Sequence, residues 1–228
     1  MRSEDELKAK RADLRDKLDK ARKRGKPGRA HNLRTRIQRI TSKLRKLRRR
    51  RQAQPSVVLT RISPNRSARS TVGISLIVLH STESANIESS DADLAGVAGW
   101  FANPASQVSS HVITDSDGHS ARCVEDRDKA WTAAAYNSAS LNIEQIGRAS
   151  QTIWAAEELK ETARWIARWS KDHGIPIERA KVSAGRVLSP GVAMHSDLGS
   201  AGGGHTDPGS AYPLGQVLDL ATNYRKRI

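Results

Sequence analysis

The sequence predicts an α/β domain with a mixed central β-sheet flanked by helices, preceded by a basic N-terminal helical hairpin. Three observations carry that reading. From about residue 71 onward, short apolar runs of strand length alternate with segments of helical period. The excess of positive charge lies at one end: residues 1–52 hold 22 of the 39 Lys and Arg and only 6 of the 24 Asp and Glu, a net +16, so the remainder is close to neutral. Within the basic arm, Gly25-Lys26-Pro27-Gly28 separates two periodic segments.

Residues 3–24 read as the first helix. Ser3 and Glu6 stand in capping-box register. Glu4, Asp5 and Glu6 suit the positive end of the helix dipole, and Arg22, Lys23 and Arg24 the negative end. Leu7, Leu14, Leu18 and Ala21 form one narrow stripe. Residues 29–51 read as the second helix, with Leu33, Ile37, Ile40, Leu44 and Leu47 spaced as a heptad seam. Residues 1–51 are therefore expected to form a helical hairpin or a coiled coil between chains. Residues 52–70 read as a polar linker in which Val57-Val58-Leu59 has the character of a short edge strand.

Residues 71–228 are expected to be the main domain. Ile74 to Leu79 is a short apolar run broken only by Ser75, as in a strand buried on both faces, and it delivers His80 to its end. A helix is expected over 91–102, a strand over Val108 to Thr114, a turn at Asp115-Ser116-Asp117-Gly118, and a returning strand over Ala121 to Val124. Leu141 to Ile146 reads as a further strand. Residues 151–173 read as a helix with Trp154, Leu159, Ala163, Ile166 and Trp169 on its apolar face, ended by Gly174 and Pro176. Leu214 to Tyr224 reads as a final amphipathic helix.

Composition sets limits. One cysteine, Cys123, excludes an intrachain disulfide and a Cys-rich zinc site. No apolar run reaches the roughly 18 residues of a membrane span. No apolar signal segment follows Met1, so the expectation is synthesis in a host cytoplasm and action on the cell wall after release. The charge asymmetry points to a polyanionic partner for the arm, an anionic polymer or a membrane surface, with nucleic acid a weaker possibility.

The chemistry concentrates in Met194-His195-Ser196-Asp197 and Gly202-Gly203-Gly204-His205-Thr206-Asp207-Pro208-Gly209. Imidazole nitrogens and carboxylate oxygens are zinc ligands, and a catalytic zinc takes three protein ligands with a position left for water. His80 and Asp207 fit such a set. On the residues alone either His195 or His205 could complete it. Glu144, on the same grounds, reads as a surface strand carboxylate.

Five segments, in this order, give a more specific reading: Ile77-Val78-Leu79-His80-Ser81-Thr82; Val108-Ser109-Ser110-His111-Val112-Ile113 with Asp117-Gly118; Ala130-Trp131-Thr132-Ala133; Asn142-Ile143-Glu144-Gln145-Ile146-Gly147; and His195-Ser196-Asp197 through Gly209. Over roughly 71–224 the chain resembles the zinc-dependent N-acetylmuramoyl-L-alanine amidases, which include phage endolysins and are related to peptidoglycan recognition proteins. The resemblance implies Zn2+ held by His80, His195 and Asp207, Glu144 assisting the zinc-activated water, and His205 stabilising the transition state. It implies cleavage of the amide between N-acetylmuramic acid and L-alanine in peptidoglycan, in a bacteriolytic phage endolysin. Many members carry histidine where this chain has Thr132. The alternatives are a non-catalytic peptidoglycan-binding module and a nucleic-acid-binding protein acting through the arm.

The other candidates read more plainly. His111 is expected in the core or behind a ligand, His119 and His173 in solvent, His31 in the basic arm, and Cys123 as a small buried hydrophobe. Trp131, Tyr136 and Asn137 are candidates to line a glycan or peptide groove, while Trp154, Trp165 and Trp169 read as packing residues.

Overall fold

The computed structural model describes residues 3–69, 73–84 and 91–228, and the chain divides into two compact units with the boundary after Ala53. Residues 71 and 72, at the expected start of the main domain, lie outside the described residues.

The first unit is a helical hairpin. Helix α1 (Glu4–Lys23) starts at the expected capping box: the Ser3 hydroxyl accepts from the Glu6 N–H at 3.2 Å, and the Glu6 carboxylate accepts from the Ser3 N–H at 2.8 Å. Helix α2 (Pro27–Gln52) places Pro27 in its first turn, where a missing N–H costs nothing. The seam is apolar, with Leu7, Leu14, Leu18 and Ala21 meeting Ala30, Leu33, Ile40 and Leu44, and with Ile37 and Leu47 partly buried beside them. The two helices of one chain thus pack on each other along the expected stripes.

The second unit begins earlier than the sequence reading placed it. Strand β1 (Val57–Thr60) is the edge strand expected at Val57-Val58-Leu59, whereas β2 (Arg66–Ala68) lies in what was expected to be polar linker. β1 pairs in parallel with β5 (Ser120–Arg122), and β2 pairs antiparallel with β6 (Asp128–Ala130). In β1 Val57 and Val58 are exposed while Leu59 packs against the core, and β2 has no apolar run to mark it.

The sheet has six strands in the order β1-β5-β4-β7-β3-β10, where β3 is Leu76–Ser81, β4 is Val112–Thr114, β7 is Ser140–Gln145 and β10 is Gly191–Met194. It is mixed: β4 and β5 pair antiparallel, and the other neighbours are parallel. All six residues of β3 and of β7 are buried, as central strands covered on both faces require. Helices α3 (Asp91–Ala102), α4 (Ala156–His173) and α5 (Leu214–Arg225) flank the sheet. A small hairpin of β8 (Val182–Ser183) and β9 (Arg186–Val187) precedes β10. Gly191, with φ of 146°, lets β10 pass the Glu178 carbonyl, to which a Cβ would come within 2.5 Å.

Helix α4 buries Leu159, Ala163, Ile166 and Trp169 as expected, together with Trp165. Trp154 is buried just ahead of the helix. Cys123 is fully buried, and burial pushes its thiol up to about 12. His173 departs from the expectation of a solvated ring. It is half-buried, with Nε2 2.9 Å from Asp126, a carboxylate that also engages Arg122 and the Trp169 indole N–H.

Candidate metal centre

Strand register builds the site. β7, β3 and β10 are adjacent and parallel, and their carboxyl ends lie together, where open α/β sheets place ligands. Glu144 is the direct partner of His80 across β7 and β3. Met194 is the partner of Leu79 across β10 and β3, so His195, the next residue, flanks His80 on the other side. Asp207 arrives from the glycine-rich loop. Its carboxylate is anchored by the Ser81 backbone N–H at 3.2 Å. Gly209 secures the loop: its φ is 91°, and a Cβ there would lie 1.9 Å from the Ala149 carbonyl oxygen.

His80, His195 and Asp207 converge, with one potential ligand atom of each within 4.8 Å of the others. The Nδ1 atoms of His80 and His195 are 3.0 Å apart. Asp207 Oδ1 lies 3.1 Å from His195 Nδ1, and Oδ2 lies 3.5 Å from His80 Nδ1. The far side of each ring is already committed. His80 Nε2 donates to Asn142 Oδ1 at 3.0 Å, and His195 Nε2 donates to the Gly202 carbonyl at 2.8 Å. With the proton on Nε2, each neutral ring presents an Nδ1 lone pair. Two lone pairs and a carboxylate therefore face one small buried volume. That donor set fits a cation with imidazole and carboxylate preference, and zinc is the usual occupant of such a set.

Burial holds the His80 pKa below its ordinary value. For Asp207, burial opposes the charge, but the adjacent His195 and His80 rings outweigh it and hold the carboxyl well below the usual carboxylate range. For His195, burial is likewise outweighed by Asp207, and its pKa is raised. Glu144 behaves oppositely. Burial, reinforced by the negative charges of Asp207 and Glu83, pushes it up to about 8. It is buried rather than on the surface, and it lines the same cavity as the three converging residues.

Behind His80 lies a polar support that the sequence reading did not assign. Asn142 donates its side-chain N–H to Ser140 Oγ at 3.1 Å, which fixes its amide with the oxygen toward His80. Its backbone N–H donates to His111 Nδ1 at 3.1 Å, and its carbonyl accepts from Ser110 Oγ at 2.9 Å. His111 is fully buried. Burial and the adjacent Arg69 guanidinium bring its pKa down to about 3, so it stays neutral and can accept. The alternation Leu141-Asn142-Ile143-Glu144 inside a buried strand is the signal that marks Asn142, because one face of that strand is polar.

His205 takes a different position from the three. It is 61% exposed, stacks on His195 with centroids 4.5 Å apart, and has Nδ1 4.0 Å from Asp207. The site opens into a cavity of about 470 Å³, with Trp100, Val97 and Phe101 of α3 on one side and Trp131 and Thr132 on another. Trp131 is therefore a groove residue, as expected, whereas Tyr136 and Asn137 support the walls. The Tyr136 hydroxyl donates to the Gly185 carbonyl at 2.6 Å, and Asn137 Oδ1 accepts from the Thr132 and Ala133 N–H groups at 3.0 and 2.6 Å. The Thr132 hydroxyl is spent on the Ser109 carbonyl. Trp100, 57% exposed on α3, is a lining aromatic that the sequence reading left unassigned.

Fold and site together define a mixed α/β domain in which two imidazoles and a carboxylate converge at the carboxyl edge of the sheet. The chain belongs to the N-acetylmuramoyl-L-alanine amidase family, whose model matches residues 69–210. N-acetylmuramoyl-L-alanine amidase A of Achromobacter lyticus is 33% identical over 153 residues, covering 64% of this chain and 82% of that protein. Among solved structures, the fold is similar to hydrolase AmiA of Staphylococcus aureus in complex with its ligand (TM-score 0.59, 18% identity, 75% of this chain and 84% of that one). It is also similar to the endolysin amidase LysCS of Clostridium intestinale (TM-score 0.52, 13% identity, 74% and 97%). The protein is thus a peptidoglycan amidase by family. Among the described residues, no helix is long and apolar enough to cross a membrane.

Proposed function

We propose that the chain is a zinc-dependent endolysin that cleaves the bond between N-acetylmuramic acid and L-alanine, with His80, His195 and Asp207 as metal ligands. The observation that carries this is the pair of imidazole Nδ1 atoms 3.0 Å apart beside a buried carboxylate, each ring held in place by a hydrogen bond on its far side. Bound Zn2+ would lower the pKa of a water from ~15.7 toward 7 and polarise the substrate carbonyl.

The chain's own residues supply the remaining steps. Glu144, next to His80 on the sheet, accepts a proton as water adds to the amide carbon. It returns that proton to the alanine nitrogen as the carbon–nitrogen bond breaks, so a carboxylic acid and a free amine leave. A carboxyl with raised pKa suits both halves of that transfer. His205, exposed at the cavity mouth, is placed to hydrogen-bond the carbonyl oxygen as negative charge develops there. Trp100 and Trp131 offer apolar faces to sugar rings or the lactyl-peptide stem. In this reading residues 54–228 form the catalytic domain, residues 1–53 an accessory arm, and the site of action is the cell wall after release.

Digestion of purified muropeptides by the full chain tests the bond assignment. Each cut should release one new alanine amino terminus and no new sugar reducing end. Appearance of reducing ends instead, or cleavage between stem amino acids, contradicts it.

A further inference from the structure

The charge in the hairpin is distributed very unequally between its two helices. α1 contains six acidic residues, and five of them pair within the helix: Glu4 and Asp5 with Lys8, Asp13 with Lys17, Asp16 with Lys20, and Asp19 with Arg22. α2 contains eleven Lys and Arg and no acidic residue, and among the described residues none of those cations is in an ion pair. Eleven like charges on one helix repel one another, and the field of Glu4 at Arg51 offsets only one of them, a cost that an anionic ligand would relieve.

Their placement is ordered. Arg36, Arg39, Lys43, Lys46 and Arg50 are all exposed and recur at spacings of three and four along one flank of α2. The row is about 21 Å long, with a cation about every 5 Å. It borders a groove of about 600 Å³ whose far wall carries Lys10 of α1 and whose floor is formed by Leu7, Ile40 and Leu47.

We infer that this groove binds a flexible linear polyanion of phosphodiester repeat, its charged groups on the cation row and its carbon spacers over the apolar floor. Three observations narrow the ligand to that class. Residues 3–52 contain no Trp, Tyr or Phe, so the platform on which nucleic-acid bases stack is missing. The apolar residues of the hairpin are turned into the seam between the helices and are reached only at the floor of the groove, which leaves no outward apolar face to enter a bilayer. The row favours arginine, three of its five members, and the guanidinium fork matches phosphate oxygens in pairs.

The test is equilibrium binding of the full chain to an abasic deoxyribose-phosphate oligomer, a flexible phosphodiester chain without bases, across a salt series. The comparison ligands are the same oligomer with bases, duplex DNA, poly-L-glutamate and anionic phosphatidylglycerol vesicles. The abasic chain should bind at least as tightly as each of the others. R39Q/K43Q/K46Q should weaken it by about tenfold or more and lower the slope of log K against log salt by about 2, from three lost contacts. K17Q/K20Q/R22Q removes the same charge from paired positions and should change affinity by less than about twofold. R39K/K43R/K46R should bind as the parent does, and D207A should leave binding unchanged. Equal losses in the two glutamine triples would reduce the effect to net charge and overturn the groove. Tighter binding of duplex or base-bearing strand, polyglutamate or vesicles overturns the ligand class. Far-ultraviolet circular dichroism monitors the hairpin. If the α2 triple loses helicity, R39Q, K43Q and K46Q taken singly should each weaken binding by about twofold, and three unchanged singles overturn the inference.

Discussion

His80 and Glu144 are direct neighbours on parallel strands, yet the two side chains have opposite electrostatic surroundings. His80 turns a lone pair toward His195 and Asp207, whereas Glu144 sits in the same cavity with its acidity suppressed by burial and by two nearby carboxylates. A single strand register thus supplies both a donor atom for a cation and a group able to carry a proton. The relationship has consequences that can be measured separately.

Removing the proton carrier should spare the cation site. Glu144→Gln is close to isosteric, so the fold and the metal content should be retained while the rate falls by about 10²–10⁴-fold. Turnover on muropeptides alongside metal analysis of the same sample checks this. A variant within threefold of the parent rate removes Glu144 from the mechanism.

The raised pKa of Glu144 also sets a direction for stability in the chelated, metal-free protein. The folded state binds this proton more tightly than the unfolded chain does. Its stabilising contribution is therefore full below the unfolded value near 4.5 and is lost as pH rises toward about 8. The thermal midpoint of the metal-free parent, minus that of metal-free Glu144→Gln, should fall between pH 5 and pH 8. A flat or rising difference means the carboxyl is not held protonated.

His205 and Asn142 separate transition-state assistance from support of a ligand. His205→Ala should lower kcat by about 10²–10³-fold and leave metal affinity nearly unchanged, because the ring is exposed and off the donor set. Asn142→Ala removes the hydrogen bond that fixes His80 and should weaken metal affinity by about 10–100-fold. Competition with a chelating dye measures both affinities. If His205→Ala loses the metal, His205 is a ligand, and the role assigned to it falls.

The loop that delivers Asp207 depends on Gly209. Gly209→Ala places a methyl against the Ala149 carbonyl at a positive φ and should destabilise the second unit by roughly 2–4 kcal/mol. Denaturant unfolding monitored by tryptophan fluorescence should show the loss, and a midpoint equal to the parent's would show that the loop can move aside.

Legibility in the sequence followed signal length. α1 and α2, long and periodic, lie within a few residues of where spacing and capping put them, and α3 spans the expected residues. β10 went unseen because Gly191-Val192-Ala193-Met194 is too short to show a period, although it positions His195. β1 was legible as an edge strand from Val57-Val58-Leu59, whereas β2 was not, because Arg66-Ser67-Ala68 carries no apolar run and its backbone ladder pairs it with β6. The three converging residues were legible from their chemistry and from the family resemblance. The residues alone left His195 and His205 interchangeable, and only the geometry separates a buried ring with one nitrogen already donated from an exposed ring stacked on it. The alternation Leu141-Asn142-Ile143-Glu144 marks Asn142 as polar within a strand, but its partner His80 and the burial of Glu144 were not legible, because both depend on which strands flank β7.

The most direct measurement of the central claim is zinc stoichiometry, taken together with release of alanine amino termini, for the parent chain and for His80→Ala, His195→Ala and Asp207→Ala. The account predicts one zinc per parent chain, loss of that zinc in each variant, and loss of hydrolysis in step with it. Full zinc occupancy and full hydrolysis in His80→Ala and Asp207→Ala would contradict it.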